Sequence, residues 1–266
     1  MKKTIIALSA LAIIFTSCKK EEEIIEEKVV PTDVSFEFKQ YYGNSEVTLS
    51  DFGVTQYTNA MGTNHTISKL QYLVSNITLH KSDGSTVNLG GYNFVDLEDP
   101  LSQSYTPTTY VPEGSYSGIS VTFGFDENDN ITGAYTDLNA VSWSWPEMIG
   151  GGYHFMKFEG MFTDNTGSSK GFAYHMGTAS KVIGNARKHE ANHFRVRLWD
   201  FGGGFQVKTG EKVKIGIKMD ISEWFKNPIE WDLNEYNSML MPNYTAQKMM
   251  LENGPSVLKL GGVTIE

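Results

Sequence analysis

This 266-residue sequence has almost no thiol: its single cysteine is Cys18. One cysteine excludes an internal disulfide framework and every zinc site built from several thiolates. Basic charge is also in deficit, with 22 Lys and Arg against 31 Asp and Glu. An acidic chain of this kind argues against nucleic acid and against electrostatic docking on anionic lipid. Helical periodicity is scarce, no short-period repeat occurs, and no apolar run is long enough to span a bilayer comfortably. Nucleophile–base pairs, phosphate-binding loops and convincing paired carboxylates are missing too, so the sequence predicts a protein that is not an enzyme.

What is present at the start is an address. In MKKTIIALSALAIIFTSC two lysines precede an apolar run from Ile5 to Phe15, and Thr16 and Ser17 lead into Cys18. That order is a signal peptide over residues 1–17. The ending resembles a bacterial lipobox, with Phe15 where leucine is usual, which would make Cys18 the lipidated first residue of the mature chain. Removing Lys2 and Lys3 takes the net charge from −9 to −11, with 20 basic against 31 acidic residues. Residues 18–32, charged and free of aromatics, read as an acidic flexible tether. The acidic run resembles the surface-export signals of some Gram-negative lipoproteins and equally suits a solvated spacer. The expected location is the bacterial cell envelope, lipid-anchored to the outer membrane and periplasmic or surface-exposed.

From Val34 onward, apolar and polar residues alternate with a period of two. VSFEFKQYY, KLQYLVSNITLH, YSGISVTFGF, YHFMKFEGMF, FRVRLW and KVKIGIKMDI read as strands rich in β-branched and aromatic residues. Turns are marked by Ser82-Asp83-Gly84, Pro112-Glu113-Gly114, Asn165-Thr166-Gly167 and Thr209-Gly210. Tyr244 to Glu252 is the best helix, opened by Pro242-Asn243 and stopped by Gly254. The expected fold is all-β: one antiparallel β-sandwich domain over residues 33–266 with a short C-terminal helix.

Three stretches could carry chemistry. HEANH, His189 to His193, has the spacing that lets two helical imidazoles share a zinc while the Glu works on its water. Its flanks, Arg187, Lys188, Ala191 and Asn192, offer no apolar stripe to hold such a helix, and a strand follows at once, so it reads as a polar connector. FDENDN places Asp126, Asn128 and Asn130 at calcium-loop positions with Asp137 at the twelfth. Ile131 stands where that loop needs glycine, and an Asx-rich turn is the better reading. The third stretch is WSWPEMIGGGYHFMKFEGMF followed by GFAYHMG. Trp143 and Trp145 share one face of an extended segment. Spacing puts His154 on the strand face of Met156 and Phe158, with His175 on the neighbouring strand. Imidazoles inside an apolar shell suit a cuprous ion, although a core histidine satisfied by a hydrogen bond is the plainer account of either one alone.

The blocks KLQYLVSNITLHKSDG (69–84), VPEGSYSGISVTFGFD (111–126), VSWSWPEMIGGGYHFMKFEG (141–160), GFAYHMG (171–177) and KMMLENG (248–254) together resemble the MbnP-like domain family, periplasmic or surface proteins associated with copper handling. The resemblance runs in order through most of the mature chain. It implies a β-sandwich and copper held by two histidines and a tryptophan oxidised to kynurenine, hence also a partner enzyme that oxidises it. The family pattern there is Trp-x-His, whereas this chain has Trp143-Ser144-Trp145. His175 carries over, and Trp143 and Trp145 carry over as candidates for oxidation. His154, assigned on strand geometry, replaces the missing second histidine.

The functional expectation is therefore an envelope lipoprotein that binds or delivers copper through His175, His154 and Trp143 or Trp145. Competing readings are a metal-free ligand-binding or structural surface lipoprotein, and a zinc hydrolase using His189, Glu190 and His193.

Overall fold

A computed structural model describes residues 33–199 and 203–266. The signal segment, Cys18 and the tether lie outside the described residues. Among the described residues no helix is long and apolar enough to cross a membrane.

Strands form where the sequence alternates. The Asp33–Tyr42 strand buries Val34, Phe36, Phe38 and Gln40 and turns the residues between them outward. Its sheet also contains Lys212–Asp220 and Leu258–Ile265, with Asp33–Tyr42 running parallel to Lys212–Asp220, Phe36 opposite Ile215. The other strand pairs are antiparallel.

The larger sheet is organised around the Asn64–Lys81 strand. In order it runs Ser169–Met176, Met156–Thr163, Asn64–Lys81, Gly114–Phe123, Phe194–Trp199. The sheets meet through aromatic side chains. Phe38 packs edge-on to Tyr72, ring centres 6.5 Å apart, and the Gln40 amide donates to the Tyr72 hydroxyl. Phe225, from the short helical turn Ile221–Phe225, lies against Phe158, Phe172 and Tyr174. Buried aromatic area of this kind dominates the stability of a sandwich core.

The C-terminal helix runs Tyr244–Asn253, as the sequence predicts, capped by the Asn243 side chain accepting from the Ala246 N–H. Gly254 closes it. A one-turn helix at Thr136–Ala140 is not apparent from the sequence. It is too short for a periodic apolar pattern to show.

Candidate metal centre

The site is built at the edge of the larger sheet by a detour before the Met156–Thr163 strand. The Trp143–Trp145 segment folds back on Gly152–His154. Trp145 N–H donates to the Gly152 carbonyl at 2.9 Å, and His154 N–H donates to the Trp143 carbonyl at 2.9 Å. Ser144 and Tyr153 pair between them. The Phe155 N–H then donates to the Met176 carbonyl and ties the detour to the strand carrying His175.

Three glycines make the reversal possible. Gly150, Gly151 and Gly152 all have positive φ, and a side chain at Gly152 would collide with Asn130. Here the FDENDN loop has its use. Asn130 Oδ1 accepts from the Tyr153 N–H, and Thr132 Oγ1 accepts from the Gly152 N–H. Asp126 accepts from the backbone N–H groups of Asn128 and Asp129, an Asx turn, while Asp137 is taken up by the Tyr92 hydroxyl. The loop is a brace.

His154 does not lie where strand alternation places it. The regular strand begins only at Met156, and the irregular step before it turns His154 away from the face of Met156 and Phe158. Its ring instead meets Trp145 at 4.9 Å, His175 at 5.4 Å and Trp143 at 5.5 Å between ring centres. His175 points to the side of its strand opposite Phe172, Tyr174 and Met176, and pairs across the ladder with Lys157, whose ammonium lies 4.9 Å over Trp143. Thus the two histidines and both tryptophans come together beside the sheet edge, with Trp143 itself part of the buried apolar core.

Hydrogen bonding fixes both imidazoles. His154 Nδ1 lies 3.0 Å from the Trp143 carbonyl oxygen, which can only accept, so Nδ1 carries the proton. Burial pushes the His154 pKa down to about 3, leaving a neutral ring with its lone pair on Nε2. His175 Nε2 lies 2.8 Å from Glu159 Oε1, again an acceptor only, so in neutral His175 the lone pair is on Nδ1. That hydrogen bond also holds the Glu159 carboxyl below its usual range. One nitrogen of each ring is anchored by a carbonyl or carboxylate while the other keeps its lone pair, the arrangement that orients metal-binding histidines.

The spacing fits one ion. A metal–imidazole bond of about 2 Å puts two ring centres sharing an ion roughly 5–6.5 Å apart. The observed 5.4 Å falls inside that range. Among the described residues, however, no group of three His, Cys, Asp or Glu converges on a point that could hold a metal ion. The donors that fit are two imidazoles in an aromatic, largely buried setting, a set suited to a soft ion of low coordination number. Glu159, the partner of His175, was not foreseen; its place opposite Ala173 on the adjoining strand is the signal that could have found it.

HEANH is not a helix. His189 and Glu190 end the strand Ala186–Glu190, paired with Ala179–Ile183, and only residues 191–193 form a connector. Glu190 is held by Lys181 at 2.8 Å and by the Tyr244 hydroxyl at 2.6 Å, and the Lys181 hydrogen bond is the main cause of its pKa falling to about 2. A carboxylate so occupied is a poor general base.

The MbnP family matches residues 31–242. The chain belongs to the MbnP family. Among solved structures, MbnP from Methylosinus trichosporium is similar in fold, with a TM-score of 0.50, 14% identity, and coverage of 77% of this chain and 79% of that one. No curated protein matches the chain. MbnP proteins are associated with methanobactin and copper, and the sandwich found here agrees with the fold of the relative.

Proposed function

We propose that this MbnP-family protein is a lipid-anchored protein of the bacterial envelope that binds copper, or delivers it, and performs no catalysis. One observation carries the reading: two imidazoles, each with one nitrogen fixed by an acceptor, stand edge to face with ring centres 5.4 Å apart, a spacing that suits a shared ion. His154 Nε2 and His175 Nδ1 would hold the metal. Copper, when bound, would supply a soft, redox-capable centre in a nearly dry setting.

Trp143 and Trp145 border His154 and are almost fully buried. Trp145 Nε1 donates to the Ile149 carbonyl at 3.3 Å, while the buried Trp143 Nε1 has no partner among the described residues. Opening the Trp143 ring to kynurenine would therefore break no hydrogen bond of that nitrogen, and we assign Trp143 as the residue a separate oxidising enzyme would modify.

The test is a copper titration of the purified protein followed by intact-mass measurement. Saturation at one copper per chain is the expected result, and protein that has met the oxidising enzyme should carry the added mass on Trp143 and not on Trp145 when the peptide holding both is fragmented. The second reading, a metal-free surface lipoprotein, draws on the finding that among the described residues no three His, Cys, Asp or Glu side chains converge where they could hold a metal ion. Failure to bind copper at micromolar concentration would favour it. The anchor is tested separately: Cys18→Ala should move the protein from the detergent phase to the aqueous phase, and a variant that stays with the membrane would refute lipidation at that residue.

A further inference from the structure

Three thioethers stand around the open side of His175. Met148, Met239, Met241 and His175 line one cavity of about 400 Å³, whose remaining walls are Pro146, Ile149, Ala173, Leu240 and Pro242. Among the described residues neither carboxylate nor hydroxyl side chains line it. Sulfur and one imidazole are the only side-chain donors, a set that disfavours zinc, calcium and magnesium and favours a cuprous ion.

The methionines are placed there by the fold. Met239 is 78% exposed and Met148 76% exposed, and both border the same cavity, so two large apolar side chains are presented together to solvent. Met239 also has φ +55°, a left-handed conformation that a residue with a long side chain rarely adopts. The segment carrying it is tied to the His175 strand at both ends. Ala173 N–H donates to the Asn237 carbonyl at 2.8 Å. The buried Gln247 amide donates both to the His175 carbonyl at 2.7 Å and to the Leu240 carbonyl at 3.1 Å. Met148 comes from the separate turn Glu147–Ile149, which Trp145 holds through Ile149.

We infer that this cavity is a receiving site for a cuprous ion: Met148, Met239 and Met241 gather the ion, and His175 on the inner wall takes it on towards His154. The transfer is ligand exchange. Copper–sulfur bonds break as the bond to His175 nitrogen forms, and copper stays in the +1 state throughout. The proposal rests on the copper reading for its second half, while the thioether cluster is tested on its own.

The experiment uses protein labelled at the methionine methyl carbons and at the histidine rings and titrated with silver(I), a stable stand-in for copper(I), with NMR detection. The methyl signals of Met148, Met239 and Met241 should shift and saturate together, while those of Met156, Met176 and Met219 in the core stay in place. The triple variant M148L/M239L/M241L, close in volume and mostly at exposed positions, should fold normally and take up copper(I) from a weak chelator at least about tenfold more slowly. Silver-induced methyl shifts should survive in H154A. If silver moves only imidazole signals, or the triple variant takes up copper(I) at the unaltered rate, the receiving site is wrong even though copper binding at the histidines stands. Thioether shifts without any histidine response would uphold the methionine cluster and overturn the transfer to His175.

Discussion

His65 and His154 are both buried histidines, and burial lowers both pKa values, to about 4 for His65 and about 3 for His154. Their surroundings differ. His65 is enclosed by Tyr42, Tyr57, Phe172 and Phe225, its Nδ1 reaches the Thr63 carbonyl only at 3.5 Å, and its Nε2 has no partner among the described residues. His154 has one nitrogen firmly anchored, a second imidazole at 5.4 Å, and a cavity that reaches that second ring. A depressed pKa therefore does not mark a site by itself. What separates the two is convergence: a second donor with its lone pair fixed, and a way in.

The largest effect expected from this contrast is on stability in acid. A folded-state pKa of about 4 against roughly 6.5 in the unfolded chain means the unfolded state binds more protons between those values. The His65 contribution is intact above about pH 6.5 and is lost as pH falls towards 4. At pH 5 that loss is about 2 kcal/mol. Phe in place of His65 keeps the ring packing and has nothing to protonate, so urea unfolding of H65F at pH 5 should show about 2 kcal/mol less acid loss than the unaltered protein. Equal losses in the two proteins would mean that His65 is not held neutral. Copper affinity should not change.

Removing an imidazole of the pair should reverse that pattern. His175→Ala should weaken copper binding at least about tenfold, roughly 1.4 kcal/mol, because a site with two nitrogen donors cannot replace a lost one. His154→Ala should do the same, and H65F should not. A smaller drop, several-fold, is expected for Glu159→Gln, which keeps an acceptor at Oε1 but loses the charge that orients His175. Copper titrations on these variants decide the matter, and an unaffected H175A would remove the pair from consideration.

How far the sequence reaches differs between fold and site. Alternation in VSFEFKQYY and KVKIGIKMDI marks both strands, but nothing local says that residues so far apart pair in parallel, Phe36 beside Ile215. The helix is legible because its cap residue, Asn243, and its stop, Gly254, flank it directly. The structure brings His175 and the two tryptophans beside His154. The face of His154 is not legible, because a period-two argument assumes an unbroken strand, and the Gly150–Gly152 reversal breaks it. Met239 and Met241 gain meaning only through Gln247, a tertiary contact without any sequence signature.

The smallest expected effect is at His189 and His193. They line a separate cavity of about 220 Å³ together with Asp126 and Glu127, and His193 lies 3.8 Å from Glu127. As a composition that cavity is richer in metal donors than the site at His175, so it is the sharper control. Its donors are committed elsewhere or badly placed: Asp126 closes an Asx turn, and Glu190 is bound by Lys181 and Tyr244. His189 ends a strand and His193 follows in an irregular connector, so the spacing in HEANH loses the geometric meaning it has in a zinc-binding helix. The double variant H189A/H193A should therefore change copper affinity by less than about twofold, a difference within the scatter of surface substitutions. It should also leave the protein without any zinc-dependent peptidase activity to lose. Should this variant weaken copper binding while H175A leaves it intact, the metal belongs in the cavity beside Glu127, and the convergence of His154 with His175 is a packing contact.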